Sequence, residues 1–120
     1  MRQHLAGCGE VAAADVQATL VALTAGSIAD AIIAATGGGR PDIFVCGGGA
    51  LNPTLLRALR TWLPDCAVET TAALGVDPAW VEAMAFAWLA RQRLAVAAGN
   101  CPVVTGAQRA AVLGGMWLPE

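Results

Sequence analysis

Asp42-Ile43-Phe44-Val45-Cys46-Gly47-Gly48-Gly49-Ala50-Leu51-Asn52-Pro53, running on as Thr54-Leu55-Leu56-Arg57-Ala58-Leu59-Arg60-Thr61-Trp62-Leu63, is the stretch on which the reading of this chain turns. Residues 43–46 form a short unbroken apolar run ended by glycines, the pattern of a strand covered on both faces. A buried parallel strand is therefore predicted there. Asn52 can cap a helix with its side-chain oxygen, Pro53 fits the first helical position, and Leu55, Leu56, Leu59 and Leu63 recur at helical spacing. Strand and helix are thus joined by a loop of three glycines.

Gly47, Gly48 and Gly49 lack a β-carbon, so their backbone can take positive φ and admit a ligand to contact distance of the main chain. A helix behind such a loop directs free N–H groups and the positive end of its dipole at it, which suits phosphate or ribose. A tight turn that binds nothing has the same glycines, and the triplet alone does not decide between them.

Hydrophobic residues make up 57% of the 120 residues and charged residues 13%, against roughly 25% charged in ordinary soluble domains. The length allows one domain with a sizeable core. Gln17 and Asp30 interrupt the longest apolar candidate, so a membrane-spanning helix is not expected. The apolar excess is better placed on a surface that more protein covers. There is no lysine, and the seven arginines are scattered at a net charge of -2, which argues against a nucleic-acid or anionic-membrane face. The segment Met1-Arg2-Gln3-His4-Leu5 leads into no apolar signal core, so a cytoplasmic setting is expected. Cys8, Cys46, Cys66 and Cys101 show no C-x-x-C spacing and His4 is the only histidine; reduced, mostly buried thiols and no metal site are expected.

Residues 1–14 have no clear period and read as a poorly determined lead-in. From Asp15, a plausible cap, Val16, Leu20, Leu23, Ile28 and Ile32 predict a long helix buried on more than one side, stopping at Gly37. A second strand is expected over 66–71, parallel to the first through a right-handed crossover. Asp77-Pro78 reads as the next helix start, with Val81, Met84, Ala85, Trp88 and Leu89 as its buried stripe and Gly99-Asn100 as its end. Thr105-x-x-Gln108 has the form of a capping box opening a short helix through Ala111 to Leu113. Two strands with three or four helices make no self-sufficient sheet. The fold class is therefore α/β, with upstream strands missing.

A dinucleotide-binding fingerprint is one rival, since Gly47 and Gly49 follow a strand and Glu69 comes roughly 20 residues later, but Asn52 stands where the third glycine belongs. A lysine-dependent phosphate loop is excluded by the absence of lysine, and Ser27 has no strand-turn-helix context for a nucleophile. Glu82 lies in a strongly apolar helical run where an uncompensated charge is costly; it faces either solvent or a ligand.

Val45-Cys46-Gly47-Gly48-Gly49 with Asn52-Pro53, Glu82-Ala83 leading into Ala85-Phe86-Ala87-Trp88-Leu89-Ala90, then Gly99-Asn100, Pro102 and Thr105-Gly106-Ala107, together resemble the carboxy-terminal part of the anhydro-N-acetylmuramic acid kinases. The likeness runs from about residue 15 to the end, and Asp15-Val16-Gln17-Ala18-Thr19-Leu20 with Leu23-Thr24 resemble the helix before the strand. It implies a partial ribonuclease-H-like, actin-like ATPase domain over 15–120. It also implies ATP with Mg2+, and an activity that opens and 6-phosphorylates 1,6-anhydro-N-acetylmuramic acid in bacterial cell-wall recycling. Gly47, Gly48, Gly49 and Asn52 would line the nucleotide side, and Glu82 would face the sugar. The family's amino-terminal phosphate loop and general-base aspartate are absent, so the resemblance assigns no catalytic residue here. The chain alone is expected to be inactive, its partner being the missing amino-terminal half, or a partner subunit, in a full-length family of homodimers. A non-catalytic association module that keeps the fold is the competing expectation.

Overall fold

The structure, a computed structural model, describes residues 11–117. The chain divides into two compact units, Met1–Pro78 and Ala79–Glu120. In the first, helix α1 (Ala13–Thr36) precedes strand β1 (Ile43–Val45), a 3-10 turn (Gly47–Leu51), helix α2 (Pro53–Trp62), strand β2 (Val68–Thr70) and a second 3-10 turn (Thr71–Leu74). The two strands pair in parallel, Ile43 with Val68, Phe44 with Glu69 and Val45 with Thr70. The strand-helix-strand order read from the sequence holds.

Helix α1 begins two residues before Asp15. Ala12 supplies the cap position without a side-chain bond, because the alanines at 12–14 favour helix strongly enough to carry it past the acidic residue. Its stop is as expected, with Gly37 left-handed at φ 60 and its N–H on the Ile33 carbonyl. The side chains packed inward are small: Ala25 and Ala29 are fully buried, and the Trp62 ring lies 3.5 Å from where a β-carbon on Gly26 would sit. Such a surface lets α2 approach closely, and its Leu55 and Leu59 join Ala25 and Val68 in the core, flanked by Val21, Ile28, Ile43 and Val45.

Burial is one-sided. Leu23 is 65% exposed, so α1 buries one stripe and not the several sides predicted. β1 is likewise covered on one face: Ile43 and Val45 turn to the helices, while Phe44 and its neighbour Glu69 are exposed. Alternation of side chains leaves that face without cover among the described residues. α1, with 24 residues and a mean hydropathy of 1.8 over its best window, is long and apolar enough to cross a membrane. The breaks at Gln17 and Asp30 do not remove it from that range, because two polar residues are outweighed by the alanines, leucines, valines and isoleucines around them. Thr19, Thr24, Ser27 and Thr36 each donate a hydroxyl to the carbonyl four residues back, at 2.7–2.8 Å, so these four side chains satisfy their donors within the helix.

The outer edge of β2 is closed by a side chain. In this register the Val68 carbonyl points away from β1, and Arg60 of α2 donates to it from Nε at 3.1 Å and Nη2 at 2.8 Å. The outer edge of β1, where Phe44 presents its N–H and C=O, has no such cover among the described residues.

The second unit holds helix α3 (Val81–Leu94) and the single turn α4 (Pro102–Thr105). A 3-10 turn, Pro78–Trp80, comes between Asp77 and α3, so the helix starts three residues later than Asp77-Pro78 suggested. Of the stripe expected to be buried, Val81 and Leu89 are half-buried and Met84, Ala85 and Trp88 are exposed. α3 ends well before Gly99: Val96 takes φ 52 and the Ala97 N–H reaches back to the Gln92 carbonyl at 2.9 Å, a left-handed terminus usually built on glycine.

Among the described residues no helix follows Thr105. Pro102 opens α4, Gly106 closes it at φ 69, and the Thr105 hydroxyl donates back to the Cys101 carbonyl at 2.9 Å. The capping-box pattern therefore lies at a helix end, where proline before and glycine after outweigh it. Cys46 and Cys101 are exposed free thiols and Cys66 is half-buried, which corrects the expectation of mostly buried thiols. His4, Cys8 and most of the 1–14 lead-in lie outside the described residues.

Candidate functional site

The glycine stretch is a 3-10 turn rather than an open loop. Gly47 takes φ 67, while Gly48 and Gly49 need no positive φ. In such a turn the Gly47 and Gly48 N–H groups have no acceptor of their own. A β-carbon on Gly49 would touch Leu55 at 3.5 Å, but one on Gly47 or Gly48 would meet nothing within 4 Å. The corner is open in front of these two residues and filled behind them. No charged side chain occurs over residues 43–56, so the donors this stretch offers are backbone amides and uncharged side chains.

Asn52 acts chiefly as the cap. Its Oδ1 accepts from the Thr54 and Leu55 N–H groups, both at 3.1 Å, so the first free amides of α2 are spent on it. The expectation that the helix aims open N–H groups at the glycines is corrected accordingly. The side-chain NH2 of Asn52 keeps its donors and borders a hollow of about 140 Å³ lined by Gln17, Leu20, Val21, Thr24, Asn52 and Leu55. The structure thus brings Gly47, Gly48, Gly49 and Asn52 together at one end of β1, with α1 beside them.

Glu82 belongs to the second unit. It is exposed in the first turn of α3, where a carboxylate suits the positive end of the helix. It has no ion-pair partner among the described residues. Those residues also contain no group of three or more His, Cys, Asp or Glu that could hold a metal ion.

Sequence reasoning gave Asn100 a place as a helix stop and in the family motif, but no structural role. Its Nδ2 donates to the Arg109 carbonyl at 3.0 Å and its Oδ1 accepts from the Ala111 N–H at 2.7 Å, while the Gly99 N–H donates to the Ala111 carbonyl at 3.0 Å. One carboxamide thereby fixes the course of residues 109–111. A Gly-Asn pair facing a long irregular segment was the available signal.

A parallel strand, a glycine turn open to the outside and an asparagine-capped helix define an α/β protein with a backbone-lined open corner. The family model for anhydro-N-acetylmuramic acid kinase matches residues 1–119, beginning earlier than the resemblance read from residue 15. The chain is 56% identical over 102 residues to an anhydro-N-acetylmuramic acid kinase of Psychrobacter arcticus, covering 84% of this chain and 23% of that protein. It is 44% identical over 117 residues to one of Shewanella woodyi, covering 98% of this chain and 31% of that protein. A Thiobacillus denitrificans relative of the same name is 50% identical over 111 residues, covering 92% and 30%. The chain belongs to the anhydro-N-acetylmuramic acid kinase family. It spans about a quarter to a third of the length of these relatives.

Proposed function

We propose that this chain is the carboxy-terminal part of an ATP-dependent anhydro-N-acetylmuramic acid kinase and supplies one wall of its nucleotide cleft. The observation that carries the reading is Gly48. It needs no left-handed backbone and no room inside the fold, so neither usual structural reason for a glycine applies. Close approach of a ligand to the main chain remains.

On this reading the two strands and their helices are part of a ribonuclease-H-like domain of the actin-like ATPase kind, whose further strands add at the open edge of β1. The residues present fit a nucleotide: Gly47 and Gly48 offer amides at an open corner, and the hollow beside Asn52 offers an apolar wall. Bound ATP would supply the phosphoryl group. Magnesium would be held by the remainder of the protein, which would also carry the general base, so no residue of this chain is assigned a catalytic role. Glu82 would contact 1,6-anhydro-N-acetylmuramic acid. The setting is cytoplasmic and the full-length enzyme a homodimer. Positioning and charge stabilisation in phosphoryl transfer need both walls of the cleft, so the isolated chain is inactive. Kinase membership leaves the dinucleotide-binding reading without support, and the 3-10 turn between Gly49 and α2 departs from that motif as well.

The test is a chimera in which this chain replaces the matching segment of the Psychrobacter arcticus relative, assayed for ATP-dependent phosphorylation of the anhydrosugar. The chimera is expected to turn over and the isolated chain not to. Gly48→Val should raise the KM for ATP about tenfold or more with the fold unchanged. Turnover by the isolated chain, or an unaltered KM in the Gly48→Val chimera, would refute the proposal.

A further inference from the structure

We infer that the groove between α3 and residues 113–116 is a docking surface for the part of the kinase polypeptide that this chain lacks. The docked segment brings an apolar side chain into the groove together with a carbonyl or carboxylate oxygen for Arg93. This rests on the reading of the chain as part of a longer kinase.

The groove lies within the second unit and encloses about 510 Å³, lined chiefly by Phe86, Leu89, Ala90, Arg93, Leu113 and Met116. Its single charged group is unusual. Arg93 is half-buried in the lining; its Nε is shielded from solvent and has no hydrogen-bond partner among the described residues, so it is paired only when the guanidinium turns toward an acceptor. The acceptor belongs to whatever fills the groove.

A protein segment suits the site better than a free small molecule because the apolar surface continues past the rim. Phe86 is 63% exposed, Leu94 72% and Met116 55%, and contiguous apolar surface of this kind marks a protein contact. The material for it exists, since the Psychrobacter arcticus and Shewanella woodyi matches cover only 23% and 31% of those proteins. The far wall is preformed. The Asn100 clamp holds residues 109–111, and Leu113 packs on Gly99, where an added β-carbon would meet it at 3.4 Å. A fixed wall lowers the ordering cost of docking.

The experiment measures binding of this chain to the separately produced upstream portion of the Psychrobacter arcticus relative, by fluorescence anisotropy. Ala90→Trp fills the groove from an exposed helix position, and Arg93→Met keeps the stem while removing the donors. Each is expected to weaken binding about tenfold or more, with helicity by circular dichroism unchanged. Val103→Ala, at a site 93% exposed and outside the groove, should bind like the unaltered chain. Equal binding by both groove variants overturns the inference and leaves the kinase reading standing. If the variants weaken self-association in sedimentation instead, a second copy is the occupant and the inference is wrong. Failure of the unaltered chain to bind the upstream portion at all overturns both together.

Discussion

Gly47 and Gly48 are neighbours under different constraints. Gly47 is left-handed at φ 67, a conformation that costs an L-residue roughly 1–2 kcal/mol, so Gly47→Ala should lower the stability of the chain by about that much in urea unfolding. Gly48 has neither that φ nor a neighbour within 4 Å of an added β-carbon, so Gly48→Ala should leave the unfolding midpoint unchanged. A large loss at Gly48 would show that its glycine serves the fold and not a ligand. Val96 presents the reverse situation, a β-branched residue at φ 52 where helix α3 turns off. Its side chain is 76% exposed, so little packing is lost with it, and Val96→Gly is expected to stabilise the chain by about 1 kcal/mol. The measurement is the shift in denaturation midpoint at constant m-value; a destabilised Val96→Gly would mean that the valine makes a contact outweighing the backbone strain.

Between elements, the bond that matters most for the sheet is the one Arg60 makes to Val68. By occupying the outward carbonyl of β2 it stops further pairing there, and Arg60→Ala should cost about 1.5–3 kcal/mol, the range for hydrogen bonds to charged groups. Hydrogen exchange in β2 should rise correspondingly, and unchanged protection of β2 would argue that the guanidinium only decorates the edge. Leu59, the one large side chain fully buried among the described residues, should cost about 2–5 kcal/mol as Leu59→Ala. The strand, glycine turn and capped helix were legible in the sequence because each rests on local chemistry: no β-carbon at 47–49, a side-chain oxygen at Asn52, a fixed φ at Pro53. Parallel pairing followed from order alone. The helix expected after Thr105 was misread because one local pattern, Thr-x-x-Gln, was weighed without Pro102 and Gly106 beside it. The buried stripe of α3 was misread for a different reason, since apolar spacing shows that a face needs a neighbour but not that the neighbour lies in the same chain. Glu82 was singled out by its apolar helical run and given a sugar-facing role only by the family motif, and Asn100 was quoted in that motif without a structural role, because its two bonds to residues 109–111 depend on a loop that no local pattern describes.

For the molecule as a whole, the balance of buried and exposed apolar groups sets how the chain behaves alone. Its core holds Leu55, Leu59, Leu63 and Val68 with three alanines, whereas Trp80, Phe86, Leu94 and Trp117 are among the large apolar side chains left exposed. Conformational entropy opposes folding by roughly 1–2 kcal/mol per residue, and small cores rarely leave a wide margin. The isolated chain is therefore expected to unfold at low urea with a shallow transition and to bind a hydrophobic dye such as ANS in the absence of denaturant. An upstream portion that binds only the folded form adds RT ln(1 + [L]/Kd), about 2.7 kcal/mol at a hundredfold excess over Kd, and covers the surface the dye reports. Adding the upstream portion of the Psychrobacter arcticus relative should accordingly raise the unfolding midpoint and quench the dye together, in proportion to its concentration. A chain that unfolds sharply by itself, binds no dye and ignores the added portion would be complete in its own core, and its exposed tryptophans would then need an explanation other than a missing half.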